Sequence, residues 1–427
     1  MNKSDSERMA GFLDGMGWSQ TKEEKEADLL LINTCSVRQS AEDRVYGMVG
    51  KWQKYKEDKP HLIIGVTGCM AGRDQDGKIK KRMPGVDLFF SIADLVRLPQ
   101  WLAELNLEFK NSIEVSDDYL KLEAKHTDRY QAFIPIQTGC NQFCTYCVVP
   151  YARGREVNRP VVDILTEVRK LVEGGCIFIT LLGQIVNDYQ APDKGSFSEN
   201  NPYQESDFAK LLWELNQIDG LKWIHWTAPH PLYMTDEVVD ALTLPKQINH
   251  LHLPVQSGSD EVLKKMNRKH SRDYFIDLIK KIRTKKPDIA LATDLIVGFC
   301  GESEQNFEDT VDMYKKCDFD ISYHAQYSTR SGTVAEKAFT DDVLREEKKK
   351  RWEVLQKLMK ETTYKKNQKY VGRVIEVLVQ KCEDGECTGN SRELKLTSFP
   401  GDEGLIGQIV KVKVKKAGTW ILWGEMV

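Results

Sequence analysis

Short apolar runs alternate with helix-patterned segments through the first hundred residues. The runs at 27–33 (ADLLLIN), 62–67 (LIIGVT) and 86–91 (VDLFFS) read as buried strands between helices. That order predicts a small parallel α/β domain. The polar stretch at 115–129 lacks strong periodicity and reads as a linker. Six strand-like runs follow, at 132–138, 177–182, 222–227, 250–255, 289–297 and 321–327. Between them, segments 161–173, 207–217, 235–242, 271–284 and 304–316 carry apolar residues at three- and four-residue spacing, the mark of amphipathic helices. Six consecutive βα units predict a partial parallel (β/α)6 barrel, with its chemistry at the C-terminal ends of the strands. A charged helix is expected at 342–366, and then a strand-rich tail. In the tail, 409–415 (IVKVKVK) puts Val410, Val412 and Val414 on one face and Lys411, Lys413 and Lys415 on the other. Glycines punctuate the remainder at turn-like intervals, so the tail is predicted to form a small β-barrel. The fold class is therefore α/β, with domains at 1–110, 126–361 and 367–427.

Length and composition agree with this division. A chain of 427 residues exceeds one ordinary core, and 41% hydrophobic with 29% charged residues is a globular balance. No apolar run approaches the roughly 20 residues that span a bilayer, and the opening MNKSDSERMAG has no signal-peptide core, so a cytoplasmic protein is expected, with no membrane partner. The net charge of −3 is unevenly placed. Residues 345–416 hold 18 Lys+Arg against 11 Asp+Glu, whereas residues 1–344 hold 43 against 52. The basic portion either faces a polyanion or is an ordinary solvated surface.

Ten cysteines in a cytoplasmic chain read as ligands or redox groups rather than disulfides. Cys140, Cys144 and Cys147 form C-x3-C-x2-C just past the first barrel strand, in GCNQFCTYCVVPYARG. Three thiolates on one tight loop suit three corners of a 4Fe-4S cube, which otherwise takes four cysteines. The iron left without a thiolate is free to chelate S-adenosylmethionine (SAM), which is the logic of radical SAM chemistry. A zinc site is the competing reading, but no second pair or nearby histidine completes four ligands. Phe143 and Tyr146 would shield such a cluster, or simply pack. Gly183 and Gln184 follow the second strand in LLGQIVNDY, where a turn lets backbone approach SAM. His252 to Ser259 and Gly298 to Glu302 end the fourth and fifth strands on the expected active face. Arg153, Arg155 and Arg159, beside the cysteines, are read as contacts to RNA or SAM in preference to salt bridges. Cys382 and Cys387 flank an Asp384-Gly385 turn, a weak metal signal.

Longer segments carry a specific resemblance. GCNQFCTYCVVPYARGREVNRP, HLPVQSGSDEVLKKMNRKHSRDYF and NTCSVRQSAEDRVYG resemble the radical SAM methylthiotransferases, and within them the branch acting on N6-isopentenyladenosine in tRNA (the MiaB type). The resemblance covers essentially the whole chain. It implies an N-terminal methylthiotransferase domain, a radical SAM barrel and a C-terminal TRAM domain. It also implies a second 4Fe-4S cluster, of which Cys35 in NTCSVR and Cys69 in TGCMAG match two ligands. The third has no counterpart here. The family pattern reads approximately Gly-Cys-Gln-Met-Asn before Asp-Ser-Glu, and this sequence opens MNKSDSE, so a start placed too late, omitting a strand and its cysteine, is the expectation. Cys300 stands where the family usually has proline in GFPGE.

The implied reaction converts the C2–H of N6-isopentenyladenosine, at position 37 beside the tRNA anticodon, to C2–S–CH3. Side-chain acids and bases cannot remove an unactivated aromatic hydrogen, so cofactors must carry that step. By the resemblance, one SAM methylates a sulfur and a second is cleaved to a 5′-deoxyadenosyl radical. The expected partners are a tRNA anticodon stem-loop held by the basic tail, an electron donor and a sulfur source, with the enzyme itself a monomer. Three alternatives stay open: action on threonylcarbamoyladenosine in tRNA, action on an aspartate of a ribosomal protein, or an RNA-binding relic with an incomplete N-terminal cluster.

Overall fold

The computed structural model describes residues 1–36, 39–105 and 119–427. Val115 to Asp118 of the expected linker, the expected boundary at 110, and Val37 and Arg38 of NTCSVR lie outside the described residues. The chain divides into two compact units. One comprises Met1–Thr127, Gln137–Arg159 and Arg330–Val334, and the other Asp128–Ile136, Pro160–Thr329 and Ala335–Val427.

In the first unit the three apolar runs form a parallel sheet, Leu29–Thr34, Ile63–Gly68 and Leu88–Phe90, in sequence order. Ile63–Gly68 is buried along its whole length, as a strand covered on both faces must be. Val45, Val49 and Trp52 of the helix Gln39–Asp58 pack with Leu30, Ile64 and Val66 on one side. Met9 and Phe12 of the helix Asn2–Gly15 pack with Ile63 and Leu88 in a second core. That N-terminal helix has no counterpart in the expectations from sequence.

The second unit holds the six predicted strands as Gln131–Pro135, Phe178–Leu182 and Trp223–Trp226 in one parallel sheet, and His250–His252, Ala290–Val297 and Ile321–Gln326 in another. A parallel bridge from Ile224 to Gln247 links the two. The helices cover one face. In Val161–Glu173 the buried positions are Val161, Ile164, Leu165 and Val168, a stripe at helical spacing, and they join Ile179, Leu181, Ile224, Leu251 and Leu291 in the largest core. Ser206, Thr235, Ser271 and Ser303 start helices by accepting from amides in the first turn, and Ser303 with Asn306 completes a capping box.

The tail closes into a five-stranded barrel, Val374–Glu383, Glu386–Ser391, Leu396–Pro400, Leu422–Met426 and Ile409–Ala417 in spatial order. Val412 and Val414 point into it while Lys411, Lys413 and Lys415 stay exposed, as the alternation requires. Two expectations need correction here. Cys382 and Cys387 stand opposite each other across the hairpin and form a disulfide, because the Asp384-Gly385 turn, both residues at positive φ, sets them in register. The helix Arg345–Gln368 also does not offer all its cations to a polyanion. Lys348 and Arg351 lie on its buried stripe, where Lys348 Nζ donates to the Tyr327 carbonyl at 3.1 Å and Arg351 pairs with Glu302 at 2.8 Å.

Two buried histidines make this unit acid-sensitive. His230 and His270, rings 5.8 Å apart, are 3% and 4% exposed. Burial, followed by the charge of Arg268, lowers them to about 2 and about 3. Their folded values lie below the unfolded 6.5, so their neutral forms contribute fully above that pH and the contribution is lost as pH falls below it. Urea titrations from pH 7 to pH 5 are expected to show stability falling by up to about 1.4 kcal/mol per pH unit for each group. A flat profile would refute the burial argument.

Candidate active site

Five cysteines meet in the first unit, and the backbone explains how. Leu29–Thr34 and Ile63–Gly68 pair in parallel with Thr34 opposite Gly68, so Cys35 and Cys69 leave the ends of neighbouring strands at the same level. Cys69 is buried and opens the short helix Cys69–Gly72, while Cys35 is partly exposed. Ser36, Glu42 and Arg73 tie the two segments together. Ser36 donates to Glu42, and Arg73 pairs with Glu42 at 2.8 Å, both side chains being under a tenth exposed.

The loop bearing Cys140, Cys144 and Cys147 is closed at its base, where Gln137–Thr138 pairs antiparallel with Val157–Asn158. The Cys140 amide donates to the Gly154 carbonyl at 3.2 Å. Gly139 sits at φ +76°, and a Cβ there would come within 2.0 Å of the Arg155 carbonyl oxygen, so this crossing requires glycine. Phe143, between the cysteines, also takes positive φ (49°) and meets Tyr151 edge-on at 6.3 Å. Cys140 is buried, and Cys144 and Cys147 keep partial exposure. Two amides donate to sulfur, Gln142 to Cys140 at 3.5 Å and Val149 to Cys147 at 3.4 Å. Burial pushes the Cys147 thiol up to about 12, with the nearby sulfurs of Cys144, Cys140 and Cys69 adding to the rise. Cys69 therefore belongs to the same electrostatic neighbourhood as the loop.

The donor chemistry suits an iron-sulfur cube. Among the described residues no three His, Cys, Asp or Glu side chains converge tightly enough for a single metal ion. A cube takes each thiolate on a different iron, so its ligands stand apart, and amide donors to sulfur are the usual means of tuning it.

The sequence reading missed what holds this loop in place. Arg153 is 6% exposed and pairs with the fully buried Asp5, which also accepts from the Tyr119 hydroxyl. The expectation that Arg153 contacts RNA or SAM is thereby overturned: its charge is consumed inside the fold. Arg155 lies over the Phe143 ring at 4.9 Å, and Arg159 is buried. The one available signal was the family-like Asp-Ser-Glu at 5–7, whose partners lie over a hundred residues away. The α-amino group of Met1 lies within electrostatic reach of Cys35, Cys69, Asp5 and Arg153, and burial lowers its pKa.

The helices Cys69–Gly72 and Val149–Arg153 pack directly. A Cβ on Gly72 would lie 2.2 Å from the Ala152 carbonyl oxygen. Gly72→Ala is expected to cost about 1–3 kcal/mol and to lower iron retained after desalting, because it wedges apart the segments carrying Cys69 and Cys147. Unchanged melting and iron content would show that the contact is dispensable. In the second unit, Gly183 is buried and Gln184 partly buried just past Phe178–Leu182.

Comparison with known proteins gives three matching families along the chain. Residues 1–91 match the family described as Uncharacterized protein family UPF0004, residues 134–314 the Radical SAM superfamily, and residues 368–427 the TRAM domain. Curated relatives named tRNA-2-methylthio-N(6)-dimethylallyladenosine synthase align end to end. One from Clostridium botulinum (strain Hall) is 40% identical over 438 residues, covering 100% of this chain and 95% of the relative. One from Carboxydothermus hydrogenoformans is 39% identical over 436 residues, covering 100% and 97%. Among solved structures, the radical S-adenosylmethionine methyltransferase TsrM from Kitasatospora setae, with cobalamin and a 4Fe-4S cluster bound, superposes with a TM-score of 0.51. It is 11% identical, covers 72% of this chain and 65% of its own, and so speaks for the fold alone.

Proposed function

Because this chain belongs to the tRNA-2-methylthio-N(6)-dimethylallyladenosine synthase family, we propose that it replaces the C2–H of N6-isopentenyladenosine at tRNA position 37 by a methylthio group. The observation carrying this reading is full-length identity to relatives of that name, joined to the gathering of five cysteines in one unit. Cys140, Cys144 and Cys147 hold the 4Fe-4S cluster that works with SAM, and the amides of Gln142 and Val149 adjust the charge on two of its sulfurs. When bound, cluster and SAM supply the one-electron chemistry that an unactivated aromatic C–H demands. Cys35 and Cys69 present two thiolates side by side for a second cluster, whose remaining ligand is not assigned. Gly183 and Gln184 flank the SAM site.

Exchanging hydrogen for S–CH3 requires a sulfur source, a methyl source and an electron, so partners beyond SAM are needed for turnover. The RNA is held through its phosphates by the small barrel, whose exposed Lys411, Lys413 and Lys415 line one strand. Among the described residues no helix is long and apolar enough to cross a membrane, and a tRNA substrate places the enzyme in the cytoplasm. The test is mass spectrometry of tRNA nucleosides from a strain lacking the gene. The 2-methylthio derivative should disappear, N6-isopentenyladenosine should accumulate, and a plasmid copy should reverse both. An unchanged profile would refute the assignment.

A further inference from the structure

The second unit carries a polar surface that the proposed chemistry leaves unused. Along its parallel strands, Ile179, Leu181, Ile224, Leu251, Leu291 and Leu295 pack against the helices. Strand alternation turns the intervening residues to the opposite, inner face. There the floor is apolar: Phe178 and Trp223, rings 5.9 Å apart, pack with Ile248 and with Leu378 of the small barrel. Above the floor the surface becomes polar. His225 and His250 stand 5.7 Å apart, centroid to centroid, across the junction of the two sheets. His252 Nε2 lies 3.1 Å from Asp294 Oδ2, and its ring meets the half-exposed Tyr323 ring at 5.4 Å with a 38° tilt.

The chemistry of this surface is selective. His225 Nε2 and His250 Nδ1 are buried atoms without a hydrogen-bond partner. Leaving such atoms unpaired costs stability, and strand positions of this kind could carry leucine or valine at no such cost. Burial holds His225 down to about 3 and His250 well below its ordinary value, so both are neutral imidazoles, each with one N–H and one lone pair. The charged groups acting on this surface are the Asp294 carboxylate and, at His250, the Lys395 ammonium, which is engaged by Asp320. A phosphate or carboxylate would find no free cation and would face Asp294. A metal ion would find no converging set among the described residues. A flat, neutral heterocycle with alternating ring nitrogens and an N–H would satisfy the orphaned imidazoles and stack on Tyr323.

We propose that this inner face binds an adenine ring, with His225 and His250 reading its edge and the Asp294-braced His252 and Tyr323 fixing its plane. The inference rests on the family reading above and deepens it, because both the RNA substrate and SAM contain adenine. His225, His250, His252 and Tyr323 act as positioning residues and not as proton carriers.

The test uses the full, anaerobically reconstituted chain. Affinity is measured for an anticodon stem-loop with adenine at the target position, for the same stem-loop abasic there, and for SAM. His225→Leu and His250→Leu are each expected to lower the preference for the adenine-bearing RNA about fivefold or more, the worth of one hydrogen bond, with abasic affinity unchanged. His225→Asn, which keeps a donor and an acceptor, should recover most of it. Ligand-free melting of the leucine variants should be unchanged or higher, because an unsatisfied polar group has been removed. If SAM affinity falls instead, the adenine bound here is that of the cofactor. Variants that melt as the parent does and keep both RNA preference and SAM affinity would overturn the proposal. So would leucine variants that unfold while His225→Asn binds normally without any adenine preference in the parent. A parent chain that binds neither RNA nor SAM would instead sink the family-level function, and this inference with it.

Discussion

Cys140→Ala is expected to abolish SAM cleavage, lowering it on the order of a thousandfold or more, equivalent to about 4 kcal/mol of barrier. The protein should remain folded and keep its affinity for tRNA. The side chain lost is small, and Cys140 sits in a loop whose base is held independently by the Gln137–Thr138 and Val157–Asn158 pairing. What disappears is one of three thiolates, and a cube with a single remaining pair on this loop is not retained. The measurements are iron per chain, the charge-transfer absorbance of the cluster, and 5′-deoxyadenosine formed from SAM. Losing all three, with stem-loop binding within about twofold of the parent, is the expected pattern. Continued SAM cleavage by the variant would remove the loop from the catalytic assignment. The same experiment on Cys382→Ala is a control, since Cys382 is tied to Cys387 in the small barrel.

Arg153→Met is expected to be the most destabilising substitution of a charged residue in the first unit. The guanidinium is matched to Asp5, and neither side chain reaches solvent appreciably. Burial alone would lower the Arg153 pKa, but the Asp5 carboxylate, with Cys69 adding to it, holds the pKa above its ordinary value. Removing the cation leaves Asp5 buried with only the Tyr119 hydroxyl for a partner, and breaking a buried pair from one side costs about 3–5 kcal/mol. A fall in melting temperature of about 10 °C follows for a unit of this size. Replacing both partners, as Asp5→Asn with Arg153→Met, should recover a large part of the loss, because the uncompensated charge is then gone. A single variant that melts like the parent would show that the pair is not a structural clamp.

These two predictions draw on features that were unequally visible beforehand. Cys140, Cys144 and Cys147 lie within eight residues of each other, and their spacing alone implied a shared ligand. Asp5 and Arg153 are separated by 148 positions. Nothing local marks them as partners, and the arginine was read as a surface contact because it neighbours the cysteines in the chain. The inner-face histidines fall between these cases. WIHW at 223–226 and HLH at 250–252 alternate visibly, which places His225, His250 and His252 opposite the apolar positions. Their proximity depends on how two separate sheets meet.

The sequence by itself determined the secondary structure and the division of labour along the chain. Apolar runs marked all nine strands of the two parallel α/β regions, Val and Lys alternation marked a barrel strand, and three cysteines marked the cluster loop. These features survive because they are local: side-chain period, turn chemistry and ligand spacing act within a few residues. Only the tertiary structure decided pairings that span the chain. The register of Thr34 on Gly68 sets Cys35 beside Cys69, the Asp384-Gly385 turn joins Cys382 to Cys387, and the buried Asp5 consumes the charge of Arg153. Such pairings depend on which surfaces are removed from water together, and that is a property of the packed chain rather than of any short segment of it.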